Sequence, residues 1–387
     1  MTLWFSASAV TPQMTAAWGL SSSQNAWLTM SVQLGFVVGA LASSLMNLPD
    51  RWRAERVFAI SAIIGAACNA GITIGDPGSA SVLGLRFLTG VALAGVYPTG
   101  MKIMATWFRS GRGLAIGVLV GALTIGSATP HALNALSVFG GADGMPPWRP
   151  TLRASSGLAL FGGLIALLMV RSGPILPKAT RFHWRQAVLV FKNAPPRRAN
   201  FGYFGHMWEL YAMWTWAPVV ILASYQHAHW SDRAARLAGF SVIALGGVSC
   251  VGAGLLADRI GRTRITIISL IVSGSCAAIA GFLMNFPLAL TLVCILWGVA
   301  VIPDSAQFSA AVSELCDPRY VGTALTVQTS VGFLITIISI RIIPMIADEA
   351  GWGVAFATLA AGPVFGVWQM VKLRRSPEAV RMAGGRR

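Results

Sequence analysis

Apolar residues run along this chain in long blocks, separated by short polar or basic stretches. The blocks lie near residues 3–17, 25–48, 57–75, 81–106, 113–136 and 151–170. A second set lies near 199–224, 236–257, 264–285, 288–312, 322–347 and 353–372. Most reach the ~20 residues that a helix needs to cross a ~30 Å hydrocarbon core. In lipid every backbone polar group must be satisfied internally, so each block is expected to be a helix. The pattern predicts an all-α, polytopic integral membrane protein of about twelve helices, with no length left for a soluble domain. The first block is the short one: Leu3 to Ala17 gives ~15 residues against the usual ~20. Nothing basic precedes it and no clear signal-peptide cleavage site follows, so the sequence is expected to start inside its first helix.

Composition agrees. Of 387 residues, 55% are hydrophobic and only 11% charged, against about a quarter charged in soluble domains; mean hydropathy is +0.66. An ordinary soluble enzyme and a disordered chain are both excluded. The 42 glycines show no collagen period and suit membrane helices. The five cysteines (Cys68, Cys250, Cys276, Cys294, Cys316) stand singly, which predicts small buried residues and neither a disulfide framework nor a metal site. No metal and no cofactor is expected.

A net charge of +16 would suggest nucleic acid in a soluble chain; here the positions of the charges exclude that partner. With a cytoplasmic N-terminus, 22 of the 29 Lys and Arg fall in inside loops and the tail, four in outside loops and three in spans. The positive-inside rule therefore predicts a plasma (inner) membrane protein with both termini cytoplasmic. The longest inside loop, from Arg171 to Ala199, has seven basic residues, no acid and four prolines. It divides the chain into a six-helix bundle over 1–170, a basic linker over 171–198, a second bundle over 199–372 and a basic tail over 373–387. Within the linker, His183 to Lys192 predicts a short interfacial amphipathic helix.

The two halves share a signature. Gly254-Leu-Leu-Ala-Asp258-Arg259-Ile-Gly261-Arg262-Thr-Arg264 follows the eighth block. Met46-Asn-Leu-Pro-Asp50-Arg51-Trp-Arg53-Ala-Glu-Arg56 follows the second, displaced by 208 residues. Gly254 permits close helix approach and Gly261 suits a positive-φ turn. Asp258 is expected to cap the next helix, with the arginines at the headgroups. Such repetition predicts parallel repeats about an axis normal to the membrane. The second-half segment resembles the loop motif of the major facilitator superfamily at every key position. In the first-half copy Met46 and Arg53 replace the two glycines. Arg86-Phe-Leu-Thr-Gly90 is similar to that family's membrane-embedded arginine motif, and Trp107-Phe108-Arg109 with Arg112-Gly113 to its inner loop. The glycine–proline motif of many proton-coupled drug exporters is not matched: the fifth block has Gly113, Gly117, Gly121, Gly126 and then Pro130 after Thr129. The resemblance implies two six-helix bundles, a central cavity and alternating access, with Asp50, Arg51, Gly254, Asp258, Arg259, Gly261 and Arg262 at the gate.

An ionisable side chain at mid-membrane costs at least ~2.5–3.5 kcal/mol on insertion scales, so each one demands a reason. Glu209 is the strongest candidate, placed ~15 Å into a span that starts near Ala199. His206 at i−3 and Tyr203 at i−6 are expected on its face, with Met213 and Trp216. Asp304 follows Pro303, which frees a carbonyl and predicts a broken, solvated point in the tenth span; Gln307 lies one turn on. Arg86 in the fourth span is expected to meet an anionic group of the solute or a carboxylate, unless it snorkels outward. His131 with Asn134 completes the proposed solute and proton pathway. Lys102 and Arg341 are expected to snorkel. Trp4, Trp18, Trp27, Trp107, Trp148, Trp230 and Trp352 fit interface anchors.

The expected function is secondary active transport of a small polar or amphipathic solute with protons, by a monomer, using embedded carboxylates to carry the proton. Arg86 and His131 opposite Glu209 and Asp304 would suit a zwitterion or small organic acid. Proton-driven efflux of amphipathic compounds is the alternative, and a transporter-like receptor without flux is the third reading. No phosphate-binding Gly-x-x-x-x-Gly-Lys-Ser/Thr, His-Glu-x-x-His or Gly-x-Ser-x-Gly is present, so neither an ATP-driven pump nor an enzyme is expected.

Overall fold

The computed structural model describes residues 1–46, 48–75, 80–108, 112–136, 147–174, 184–317 and 320–386. Among them every regular element is helical. The first span is irregular: turns over 2–7 and a 3-10 turn, Ser8–Val10, lead into α1, Thr11–Trp18. Then follow α2, Ser22–Leu45, α3, Leu48–Arg51, and α4, Ala54–Gly71. The fourth span is split into α5, Ala80–Leu93, and α6, Tyr97–Trp107. The fifth and sixth are α7, Arg112–Ala135, and α8, Trp148–Leu168. After the linker helix α9, Trp184–Lys192, come α10, Ala194–His227, α11, Asp232–Ile260, and α12, Arg262–Ala280. The tenth span is split into α13, Pro287–Val301, and α14, Ser305–Leu315. The last two spans are built from α15, Val321–Leu359, and α16, Ala361–Arg374; α15 turns at Gly351, which ends the eleventh span, and its last residues run with α16 as the twelfth. The molecule is thus an all-helical membrane protein, consistent with twelve spans in two bundles.

Two spans are broken, the fourth at 94–96, against the expectation of a continuous helix, and the tenth at 302–304, as expected. These breaks are 208 residues apart, the displacement that separates the two loop motifs. Pro98 and Pro303 explain both, because each lacks the N–H that would bond a carbonyl one turn earlier. The expected break at Pro303 exists but is closed over: Asp304 is 1% exposed, so the point is packed rather than solvated. The seventh span starts earlier than expected, at Ala194, because Pro195 and Pro196 sit in the first turn, where no N–H is needed. The amphipathic linker helix forms; its Val190 is buried, and Phe191 packs on Phe201 and Phe204 at 6.4 and 6.1 Å. The tail is not free. Ala379 and Met382 are fully buried, and the N–H of Ala383 donates to Glu314 at 3.1 Å.

The halves meet along two seams. α7 lies against α11, and a Cβ at Gly121 would stand 2.5 Å from the Gly247 carbonyl oxygen. One turn nearer the linker face, Gly117 faces Cys250 and Gly254, so the close approach expected of Gly254 is realised against α7. α2 lies against α15, where Ser44 Oγ and Thr326 Oγ1 are 2.6 Å apart and the tilted rings of Phe36 and Phe333 meet at 4.6 Å.

Candidate functional site

A small cavity of about 30 Å³ lies between the halves, holding no more than a water or two in this closed arrangement. The first half contributes Met1, Trp4, Phe36, Tyr97, Val120 and Leu123. The second contributes Tyr203, Met207, Leu210, Tyr211 and Trp214 from α10, with Ile302, Ser305 and Phe333. The α10 set follows i, i+4, i+7, i+8 and i+11, one stripe of a 3.6-residue helix. Aromatic rings dominate. Trp4 packs on Phe36, Phe333 and Tyr211 at 5.1, 5.1 and 5.6 Å, and Tyr211 on Phe333 at 5.0 Å. Trp4 is therefore no interface anchor: it is 2% exposed at the centre of the molecule. The edge of its apolar block and the edge of the bilayer do not coincide. Trp148 is also buried, edge-on to Trp18 at 4.9 Å, whereas Trp27, Trp107 and Trp230 are exposed.

The expected single face of Tyr203, His206 and Glu209 does not form. Six residues at 3.6 per turn land about 120° round the helix, so Tyr203 reaches the cavity and Glu209 turns into its own bundle. Its carboxylate accepts from Ser273 Oγ at 2.8 Å and Trp297 Nε1 at 2.6 Å, which ties α10 to α12 and α13. His206 lies between these directions. Its Nδ1 is 3.0 Å from Asp304 Oδ1, with both side chains buried, and its Nε2 has no partner among the described residues. Tyr203 and Met207 flank His206, and Ile302 and Ser305 bracket Asp304; all four line the cavity. The pair therefore sits directly behind the wall.

Arg86 neither snorkels nor meets a carboxylate. Fully buried, it donates to the carbonyls of Leu28 at 2.9 Å, Leu3 at 3.0 Å and Trp4 at 2.7 Å, and to Asn69 Oδ1 at 3.4 Å. The Leu3 and Trp4 carbonyls belong to the non-helical start of the first span, so Arg86 supplies the donors that a helix would have supplied. Asn134 accepts from Gln13 Nε2 at 2.7 Å and donates to the Ala9 carbonyl at 2.7 Å. His131 is buried with Nε2 unpartnered. Lys102 and Arg341 are half-buried.

Gln307 turns away from the cavity and accepts from Arg262 Nη1 at 2.8 Å. The same guanidinium grips Glu314 through Nε at 2.8 Å and Nη2 at 2.7 Å, with Asp258 3.7 Å away. Asp258 does not cap α12; it lies in the last turn of α11, and Gly261 with φ +101° makes the turn. Arg259 and Arg51 are exposed. In the first half Arg53 Nη2 is 2.7 Å from Glu55, which also accepts from Ser172 Oγ at 3.1 Å. The side chains of Asp50 and Arg112, and the whole of Arg109, lie outside the described residues. Sequence reasoning missed Glu314, Phe36 and Phe333; Tyr211 and Trp214 lie in the segment Gly202–Trp216, whose density of aromatic residues suits a pocket wall, but were not singled out within it. The α10 stripe carried a usable signal in its spacing; the others looked like any apolar or loop residue.

Two bundles, paired broken spans and a cavity at their seam define a membrane transporter of the kind that exposes one site to alternate sides. The chain belongs to the Major Facilitator Superfamily, whose family model matches residues 1–340. Among solved structures it is similar to the proton:xylose symporter XylE bound to 6-bromo-6-deoxy-D-glucose. That match has a TM-score of 0.70 at 15% identity and covers 96% of this chain and 93% of the other. It is also similar to a partially occluded, inward-open form of the xylose transporter XylE from E. coli, with a TM-score of 0.71 at 16% identity, covering 96% and 94%. These likenesses concern the fold. No curated protein matches.

Proposed function

We propose that the chain is a secondary active transporter that carries a small solute through the central cavity, driven by protons held at the His206–Asp304 pair. The carrying observation is the 3.0 Å contact between two buried titratable groups at a helix break directly behind the cavity wall. With one proton on the ring, the pair is a neutral imidazole beside a carboxylate. A second proton at the unpartnered Nε2 makes an imidazolium–carboxylate pair with no net charge. Neutralising a buried site lowers its burial cost, so proton binding favours the closed form through which both states pass. The protein lies in the plasma (inner) membrane with the basic loops and both termini cytoplasmic, and works as a monomer.

The test is uptake into proteoliposomes under an imposed pH gradient. Accumulation above equilibrium, abolished by a protonophore, supports the reading; indifference to the gradient defeats the coupling. Solute counterflow without any gradient separates a carrier from a receptor that binds without flux.

A further inference from the structure

We propose that the cavity selects an uncharged amphipathic solute, with a flat apolar face and hydroxyl or carbonyl oxygens. This rests on the transport reading of the cavity. Among the described residues, no acidic or basic side chain lines the cavity. The embedded charges nearby are engaged elsewhere. Arg86 holds backbone carbonyls, Glu209 holds Ser273 and Trp297, and His206 and Asp304 face each other. Apart from the buried α-amino group of Met1, a charged solute would find no counter-charge on the wall itself, which low-dielectric surroundings penalise heavily.

The residues of the wall carry flat rings and buried, unused donors. Trp4, Phe36, Tyr211 and Phe333 form one cluster of edge-on and tilted rings drawn from both halves. Trp4 and Trp214, one from each half, line the cavity, are 2% and 1% exposed, and have indole N–H groups without acceptors among the described residues. Gln33, three residues before Phe36 and so near its face of α2, is fully buried with both amide atoms unpartnered. Buried polar atoms are rarely left unpaired in folded proteins. An indole N–H only donates, so two such groups call for acceptor oxygens. They oppose a cation, although the rings alone would attract one. A solute accepting from Trp4 and Trp214 together also bridges the halves, as a carrier requires of its occluded state.

A charge series built on one phenyl ring tests this. Benzamide, benzoate and benzyltrimethylammonium present the same ring with neutral, negative and positive heads. Equilibrium binding of radiolabelled probes to the purified full chain is expected to saturate for benzamide. The two charged probes are expected to bind at least ten-fold more weakly. Trp4→Phe and Trp214→Phe, which keep a ring and lose the donor, are each expected to weaken benzamide binding by about two- to ten-fold, the range of one hydrogen bond. A charged probe binding as tightly as benzamide, or no saturable benzamide binding, overturns the selection rule. So does wild-type affinity in both variants with unchanged thermal unfolding. Counterflow of each probe keeps the two readings apart. Carriage of benzoate or benzyltrimethylammonium but not benzamide overturns the selectivity and leaves the transporter standing, whereas binding without counterflow overturns transport.

Discussion

His206 on the seventh span and Asp304 at the break in the tenth stand 3.0 Å apart, Nδ1 to Oδ1. Each is contributed by a different helix of the same bundle, so their separation changes when those helices shift. Asp304→Asn and His206→Gln keep size and polarity while removing the titration. Both are expected to lose proton-driven accumulation, with solute reaching only its equilibrium level. Counterflow is expected to stay within about three-fold of the wild type, since a rearrangement that needs no proton drive is retained. Full proton-driven accumulation in either variant would sink the assignment.

Glu209 is expected to act as a clamp on its bundle. Glu209→Gln keeps an oxygen to accept from Trp297 or Ser273, and is expected to leave coupling intact and stability within about 1 kcal/mol. Glu209→Leu strands the indole N–H and the hydroxyl, and is expected to destabilise by about 2–4 kcal/mol. Thermal unfolding in detergent and proteoliposome uptake give the two readouts. Uncoupling in Glu209→Gln would return the proton to this residue.

Arg86 is expected to be structural, through the backbone it holds. Arg86→Met removes the guanidinium donors from the carbonyls of Leu3, Trp4 and Leu28, of which Leu3 keeps the Ser6 hydroxyl at 3.0 Å and Leu28 its place in α2. The expected loss is about 1–3 kcal/mol, since an orphaned buried acceptor costs that much. Arg86→Lys recovers only part, because an ammonium cannot reach the same set of acceptors in the guanidinium plane. Thermal unfolding near the wild-type temperature in Arg86→Met would contradict this role.

Much of this was legible in the sequence, for reasons that also mark the limits. Block length fixed the spans, because lipid admits only closed backbone; proline chemistry at Pro303 foretold the break; the Asp-Arg repeat revealed two halves. Side-chain direction was harder. Glu209 and Tyr203 looked like neighbours at i−6, yet a helix turns about 120° over that interval. Arg86 could not be assigned because its partners are main-chain carbonyls, which carry no sequence signal. Trp4 and Phe333 were hidden for another reason: in a membrane protein, lipid-facing and cavity-facing positions are both apolar. Gln307 sat one turn from Asp304, but Arg262 claims it from 45 positions away.

The seam between α2 and α15 offers the most direct test of alternating access. Ser44 and Thr326 oppose each other there with their hydroxyl oxygens 2.6 Å apart, close to where a disulfide would place its sulfurs. Ser44 lies in the last turn of α2 and Thr326 near the start of α15, both at the linker face. Joining them should therefore hold that face shut while leaving the opposite face free. In the double variant Ser44→Cys/Thr326→Cys, oxidation is expected to stop counterflow to below about a tenth of the reduced rate, and a thiol reductant to restore it. The four buried native cysteines, Cys250, Cys276, Cys294 and Cys316, give little background, and half-buried Cys68 is controlled by the single variants, which should respond to neither treatment. Binding of solute from the free side is expected to survive the cross-link, which distinguishes a locked carrier from an unfolded one. Undiminished counterflow in protein shown to be fully cross-linked would mean that this seam never opens, and the two bundles could not then expose one cavity to both sides.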